Sequence, residues 1–304
     1  MPRPSPLDFT VDESLPVSPP FSLELTVDAL RRLASNAVDI AVDGAYLRAF
    51  AQDGEPAALR VMQADAGHVR VQAAGLTSER ALALTERMLG IKSNMRAWER
   101  SAAKVPWVAR LARALRGLRP PRYPTLWEAC AHAIVFQQIS IHAASAIMLR
   151  LVRALVEPVR VDDVALLPFP APDALVRASD ETLRAAGLSA NKVAHLRAVA
   201  HALARGEVTD EEIEQLPTPA AAERLVQLRG IGAWSAAVVL LRGFGRLDTF
   251  PMRDSGVART AALLSGNSLL DLNEVLDSLG ATRGMLYYHL LLGRLRNLTP
   301  GAAD

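Results

Sequence analysis

The feature that most constrains this chain is a short break in an apolar pattern. One apolar-periodic segment runs up to Leu228 and a second begins at Trp234. Between them Gly230-Ile231-Gly232 leaves room for only a tight turn. Two glycines bracketing one apolar residue let the backbone take positive φ and come close to another molecule. The expected unit is two helices joined by a hairpin, with bare N–H groups at the start of the second. Those groups and the helix dipole favour a phosphate there. Asp254 follows shortly after, beyond Pro251, where Asp-Ser-Gly-Val-Ala-Arg-Thr reads as the start of a further helix. A helix N-cap is by itself a sufficient reason for an aspartate at such a place.

The chain of 304 residues is long enough for more than one domain. From about Phe21 to Gly75 the polarity alternates with period two, as in Val38 to Val42, Leu59-Arg60-Val61 and Val69-Arg70-Val71. This predicts an antiparallel sheet flanked by helices at 26–35 and 77–89. After Gly90 the period becomes helical, and the remaining two-thirds is expected to be all-α. Thr125-x-x-Glu128 is a capping box, Ser189 caps a helix that Gly206 stops, and Thr218-Pro219 opens the helix entering the hairpin. The fold class is therefore mainly α with an N-terminal α+β domain. The expected division is a loose proline-rich tail at 1–18 and an α/β domain at 19–100. One helical subdomain made of 101–121 and 247–304 would carry Asp254, and a second, 122–246, would carry the hairpin.

The formal net charge of +2 argues weakly for nucleic acid, but the basic residues cluster. Between Arg96 and Arg122 eight basic residues face the single Glu99, a pattern equally suited to solvated helix faces. Cys130 is the only cysteine, which excludes a disulfide within the chain and a four-cysteine iron–sulfur cluster. Cys130, His132 and His142 fit no zinc spacing. With no long apolar run and no signal-peptide core, the protein is expected in the cytoplasm.

The hairpin-to-aspartate stretch resembles the helix–hairpin–helix DNA glycosylase superfamily, and most nearly its bacterial branch acting on 3-methyladenine and other alkylated bases. Supporting matches are Pro19-Pro20-Phe21, Phe136-Gln137-Gln138-Ile139-Ser140, Gly187-Leu188-Ser189-x-x-Lys192 and Arg283 to His289. The resemblance implies a monofunctional N-glycosylase that flips a damaged base out of double-stranded DNA and leaves an abasic site. Such an enzyme would be a nucleoid-associated monomer of bacterial type. Asp254 would stabilise the cationic sugar of the transition state or orient the attacking water. Trp234 stands where lyase-competent relatives carry an attacking lysine, so a Schiff base is not expected; Lys192 is the nearest lysine on the N-terminal side. Trp234 and Phe136 would contact the flipped base, with plain core packing the alternative for Trp234. Gln138 would fill the gap in the duplex, and Arg229, Gly230, Ile231, Gly232 and Ser235 would meet the backbone. Carbonyls of Val226, Leu228 and Ile231 would hold a sodium or potassium ion, with no other cofactor.

The chain departs from the family pattern in its pocket. The positions matching the family's aromatics are Ala29, Val238, Ser255 and Thr282, and none is aromatic. Stacking is worth on the order of 1–3 kcal/mol per ring, so narrower recognition of alkylated bases is expected unless Phe136, Tyr287 or Tyr288 substitutes. A non-catalytic DNA-binding module on the same scaffold, or a glycosylase for another damaged base, remains the alternative.

Overall fold

The computed structural model describes residues 6–52 and 54–300. Five antiparallel strands form the N-terminal sheet: β1 (Val11–Pro16), β2 (Ile40–Val42), β3 (Ala45–Gln52), β4 (Glu55–Gln63) and β5 (His68–Ala74), in the order β1-β5-β4-β3-β2. Helices α1 (Leu23–Arg31) and α2 (Ser78–Leu89) flank it, close to the expected spans. The period-two pattern sorts its residues cleanly. Tyr46, Ala57, Leu59, Val61, Val69, Val71 and Ala73 face the main core. Ala45, Leu47, Ala49 and Ala58 face the other side.

Two expectations fail here. Residues 11–16 are not a loose tail: Val11 and Leu15 are buried and the strand pairs with β5, while residues 1–5 lie outside the described residues. An edge position tolerates Pro16, which is why a proline-rich stretch can still contribute a strand. The C-terminal part is not all-α either. A hairpin of β6 (Val159–Val161) and β7 (Val164–Leu166) turns at Asp162, with φ of 49°, and places Val161 and Leu166 on the outer face of the sheet. The alternation in Val159-Arg-Val-Asp-Asp-Val-Ala-Leu166 is its signal in the sequence.

The remaining elements are helices: α3 (Arg96–Ala102), α4 (Pro106–Ala114), α5 (Leu126–Phe136), α6 (Ile141–Leu155), α7 (Pro172–Arg177), α8 (Asp180–Ala185), α9 (Ala190–Ala204), α10 (Asp210–Gln215), α11 (Thr218–Val226), α12 (Ala233–Phe244), α13 (Ser255–Ser265), α14 (Leu272–Leu279) and α15 (Gly284–Leu295). Helix α5, apolar except for Glu128 and His132, is buried from Leu126 to Val135, so it runs through the centre, packed by α9 and α12. The main core is continuous from the sheet through α5, α9 and α12. A second cluster gathers α4, α13, α14 and α15 with Met95, Trp98 and the α1 residues Leu25 and Ala29.

The capping signals hold in most places. Thr125 accepts from Glu128 N and Ser189 from Lys192 N. The side chain of Glu128, however, does not return to the helix end; it pairs with Arg48, buried on β3. The α5 N-terminus is completed instead by Asp210, whose carboxylate accepts from Leu126 N at 3.0 and 3.1 Å. Thr218 is the first helical residue of α11 rather than its cap, which is Pro217.

Candidate active site

The hairpin between α11 and α12 is built as its sequence requires, with one difference. Gly230 has φ of 93°, and a methyl group there would fall 2.4 Å from Cγ of His195 on α9. Gly232 is extended, with φ of −95°, so only the first glycine is needed for its backbone conformation. Around Gly232 the space is open: a methyl group would meet nothing within 4 Å. Ile231 is 3% exposed and anchors the turn in the core, and its N–H donates to Leu228 O at 3.0 Å. Gly232 caps α12 with no side-chain acceptor, so the N–H groups of the first turn face outward without one. Arg229 beside them is exposed.

Asp254 caps α13. Its Oδ1 accepts from Gly256 N at 2.9 Å and Val257 N at 3.1 Å. Its Oδ2 accepts from the indole Nε1 of Trp234 at 3.2 Å. The first turn of α12 and the first turn of α13 are thus joined through this one carboxylate. Arg253, immediately before it, is exposed and left-handed with φ of 62°, a conformation that costs a side-chain-bearing residue roughly 1–2 kcal/mol. A 280 Å³ cavity opens beside the carboxylate, lined among others by Phe250, Met252, Asp254, Val257, Leu272 and Asn273.

The loop after α5 reaches the hairpin. Gln137 Nε2 donates to Gly230 O at 2.8 Å and to Ser235 Oγ at 2.7 Å, so Ser235 is buried in a bond inside the protein. In the sequence Gln137 appears within the Phe136–Ser140 match without a role of its own, because an amide that braces a turn looks like any polar loop residue. Gln138 next to it has φ of 59° and is exposed, as is Ile139. Lys192 donates to Val135 O at 2.7 Å and Gln137 O at 3.0 Å, closing the C-terminal end of α5. Burial pushes its ammonium pKa down, yet both of these partners are backbone oxygens.

The pocket positions divide. Phe136 is half-buried, with the Arg32 guanidinium 4.4 Å from its ring centroid and the His132 ring 5.7 Å away. Val238 lies one turn beyond Trp234 and is buried. Ser255 is exposed at the first residue of α13. Thr282 sits in a 3-10 turn (Gly280–Thr282) with its hydroxyl given to Leu279 O. Tyr288 cannot replace a missing ring, since it is fully buried and donates towards Pro121 O and Leu241 O at 3.1 Å. Tyr287 is half-buried, edge-on to Phe250.

Much of the basic charge is used internally. Arg110 holds Leu264 O and Leu298 O, Arg119 holds Ser18 O, and Arg246 holds Glu214 O and Leu216 O. Burial pushes the pKa of Arg119 down. It also pushes His132 well below its usual value, helped by Arg32, Arg242 and Arg48, so that histidine is a neutral ring in the core. Arg229 and Arg253 are exposed at the hairpin and at the Asp254 cap. No helix among the described residues is long and apolar enough to cross a membrane.

Residues 131–272 match the model of the HhH-GPD superfamily of base excision DNA repair proteins. The chain is similar to a DNA-3-methyladenine glycosylase of Bacillus subtilis, 27% identical over 153 residues, 50% of this chain and 50% of that protein. It is similar to DNA-3-methyladenine glycosylase 2 of Escherichia coli, 26% identical over 76% of this chain and 80% of that protein. Among solved structures, the 3-methyladenine DNA-glycosylase from Archaeoglobus fulgidus superposes with a TM-score of 0.79 at 23% identity, covering 92% of this chain and 98% of the other. The match spans about half the length of the Bacillus relative.

Proposed function

We propose, from the match of residues 131–272 to the HhH-GPD superfamily of base excision DNA repair proteins, that the chain is a monofunctional DNA N-glycosylase releasing alkylated bases. The relatives named above are 3-methyladenine glycosylases, and this activity is carried over from them as a reading of the site. The observation that carries it is the hydrogen bond from Trp234 to Asp254, which ties the helix after the hairpin to the one carboxylate among the described residues that line the cavity.

The chemistry follows from that arrangement. The open N–H groups at Gly232 and Ala233, with Arg229 alongside, hold a DNA phosphate. Gln138, standing out from the loop in a left-handed conformation, enters the gap left by the flipped nucleotide. The base packs on Phe136 and Trp234, with Val238 closing the wall behind. An alkylated purine is already cationic, so its C1′–N bond breaks with the electron pair returning to the base and needs no strong acid. Asp254, both oxygens already hydrogen-bonded, faces the sugar as an anion and stabilises its growing positive charge. Water then adds to C1′ and gives its proton to the carboxylate. Trp234 has no amine, and the lysine considered for that chemistry, Lys192, is engaged at the end of α5, so strand cleavage through a Schiff base is not expected.

A monovalent cation suits the same turn. Carbonyl oxygens of Val226, Leu228 and Ile231 are hard donors, and Leu228 O keeps one lone pair after accepting from Ile231 N. When bound there, the ion would add positive charge at the turn and so favour a DNA phosphate.

The test is base release from methylated duplex DNA, with each freed base identified by mass and abasic sites counted apart from breaks. Release without breaks, lost in Asp254→Asn, is the expected result. A wild-type protein that binds the DNA and frees no base would leave only the binding-module reading.

A further inference from the structure

The loop from α5 to α6, residues 137–140, is pinned at both ends. At one end Lys192 donates to the carbonyls of Val135 and Gln137, at 2.7 and 3.0 Å, and closes α5. At the other, Ser140 caps α6, its hydroxyl accepting from Ala143 N at 3.2 Å. Between these anchors Gln138 and Ile139 are exposed. Since Lys192 already closes α5, the side-chain amide of Gln137 is not needed at that helix end. It crosses to another part of the molecule.

Gln137 Nε2 has two hydrogens, and each has a partner on the far side. One goes to Gly230 O at 2.8 Å, the other to Ser235 Oγ at 2.7 Å. Gly230 opens the turn whose N–H groups at Gly232 and Ala233 are assigned above to a phosphate. Ser235 is buried in the first turn of α12, directly after Trp234, whose indole holds Asp254. Helices α5 and α12 already share one apolar core, so the amide is not what keeps them together. What it adds is a fixed separation at their ends. Three things are set by it: the exposed pair Gln138 and Ile139, the phosphate grip, and the carboxylate that faces the sugar.

We propose that Gln137 is a positioning residue that couples the gap-filling loop to the hairpin, so that a paired base is flipped and cut within one rigid frame. This rests on the glycosylase reading above. Taking a base out of the duplex costs unpairing and unstacking, and the cost is smallest for a base without a partner. It is offset only while Gln138 fills the gap and the backbone is gripped at the same moment. Without the amide of Gln137 the loop keeps its Lys192 anchor, and the grip and Asp254 keep their own bonds. Their separation is no longer set. A misplacement on the order of 1 Å is enough to cost about 10²-fold in rate. A base with no partner to leave needs little help from the loop. The role of Gln137 is therefore read in the ratio between paired and unpaired substrates, which a brace for the fold alone would not move.

The test uses a DNA strand whose only purine is one adenine. The strand is methylated, then annealed either to its complement or to a strand with an abasic analogue opposite that adenine. Single-turnover base release is measured for wild type, Gln137→Met, Ser235→Ala, Gln138→Ala and the double variant of Gln137→Met with Gln138→Ala. Gln137→Met keeps the size of the side chain and removes both donors. It is expected to lose release from the paired duplex by on the order of 10–100-fold, and from the unpaired one by less than about 3-fold. Ser235→Ala removes one acceptor and should show a smaller loss of the same kind; it carries the comparison where Gln137→Met melts below the assay temperature. The double variant should lose little more than Gln138→Ala, because Gln137 acts through that loop. Unchanged release in Gln137→Met, equal losses on the two duplexes, or losses that multiply in the double variant overturn the proposal and make Gln137 a brace for the fold. Each of these leaves the glycosylase reading standing, whereas a wild type that frees no base from either duplex overturns both.

Discussion

Trp234 and Asp254, 20 residues apart, share one hydrogen bond, with the indole N–H donating to Oδ2 at 3.2 Å. Because Oδ1 is tied to Gly256 N and Val257 N, this third bond fixes the rotation of the carboxylate before any substrate arrives. An aromatic residue in a pocket is usually weighed for its face; here the edge does separate work. Trp234→Phe keeps most of the face and removes the donor. Base release should fall by about 10-fold, the size of one hydrogen bond to a charged group, with DNA affinity unchanged. Single-turnover release beside a binding titration checks this. An undiminished rate would reduce the role of Trp234 to its face.

Asp254 is both a helix cap and the proposed catalytic anion, and two substitutions separate these roles. Asparagine caps nearly as well as aspartate, so Asp254→Asn should melt with the wild type while losing base release by on the order of 10²-fold or more. Asp254→Ala should lose the same activity and also about 1 kcal/mol of stability. Thermal melts beside release assays distinguish them. Equal activity in wild type and Asp254→Asn would remove Asp254 from the chemistry.

The two hairpin glycines should fail differently. Gly230 is left-handed and backs onto His195, so Gly230→Ala forces strain and a 2.4 Å clash, and should cost about 1–3 kcal/mol of stability. Gly232 is extended and open, so Gly232→Val should fold normally and weaken binding to all duplex DNA alike. Denaturant midpoints and binding to undamaged and damaged duplexes measure the two effects. A stability loss at Gly232, or a change in base preference there, would count against a phosphate contact at that turn.

What was legible in the sequence is what local chemistry dictates. The period-two stretch before Gly75 gave the sheet because each strand has one face on the main core, and the Gly-Ile-Gly break gave the hairpin because no longer turn fits. The Asp254 cap was readable because capping is a short-range bond. What escaped depends on neighbours distant in the chain. Nothing local marks Gln137 as the brace of Gly230, separated by 93 residues, or Glu128 as a partner of Arg48 rather than of its own helix end. The strand at Val11–Pro16 was hidden by prolines that only an edge tolerates. The basic stretch at 96–122 looked like a surface, yet Arg110 and Arg119 are turned onto carbonyls of other segments.

The pair of Arg48 with Asp39 and Glu128 sets a pH dependence. One cation stands between two carboxylates in the interior, so one negative charge is in excess there. Burial pushes Glu128 up to about 7, with Arg48 opposing, from a usual value of 4.5. Between those two values the folded protein holds a proton that the unfolded chain has released. The contribution of Glu128 to stability is therefore whole below about pH 4.5 and is lost as pH rises through 7. His132 and His289, both depressed by burial, act in the opposite sense, since their contribution is lost as pH falls below the usual histidine value. The difference between wild type and Glu128→Gln isolates the carboxyl. The stability of wild type relative to Glu128→Gln should decline from pH 5 to pH 8, by up to about 1.4 kcal/mol per pH unit, and denaturant midpoints at each pH measure it. A difference that stays flat would mean that Arg48 keeps Glu128 ionised throughout, and that the network joining the sheet to α5 is a fixed ion pair.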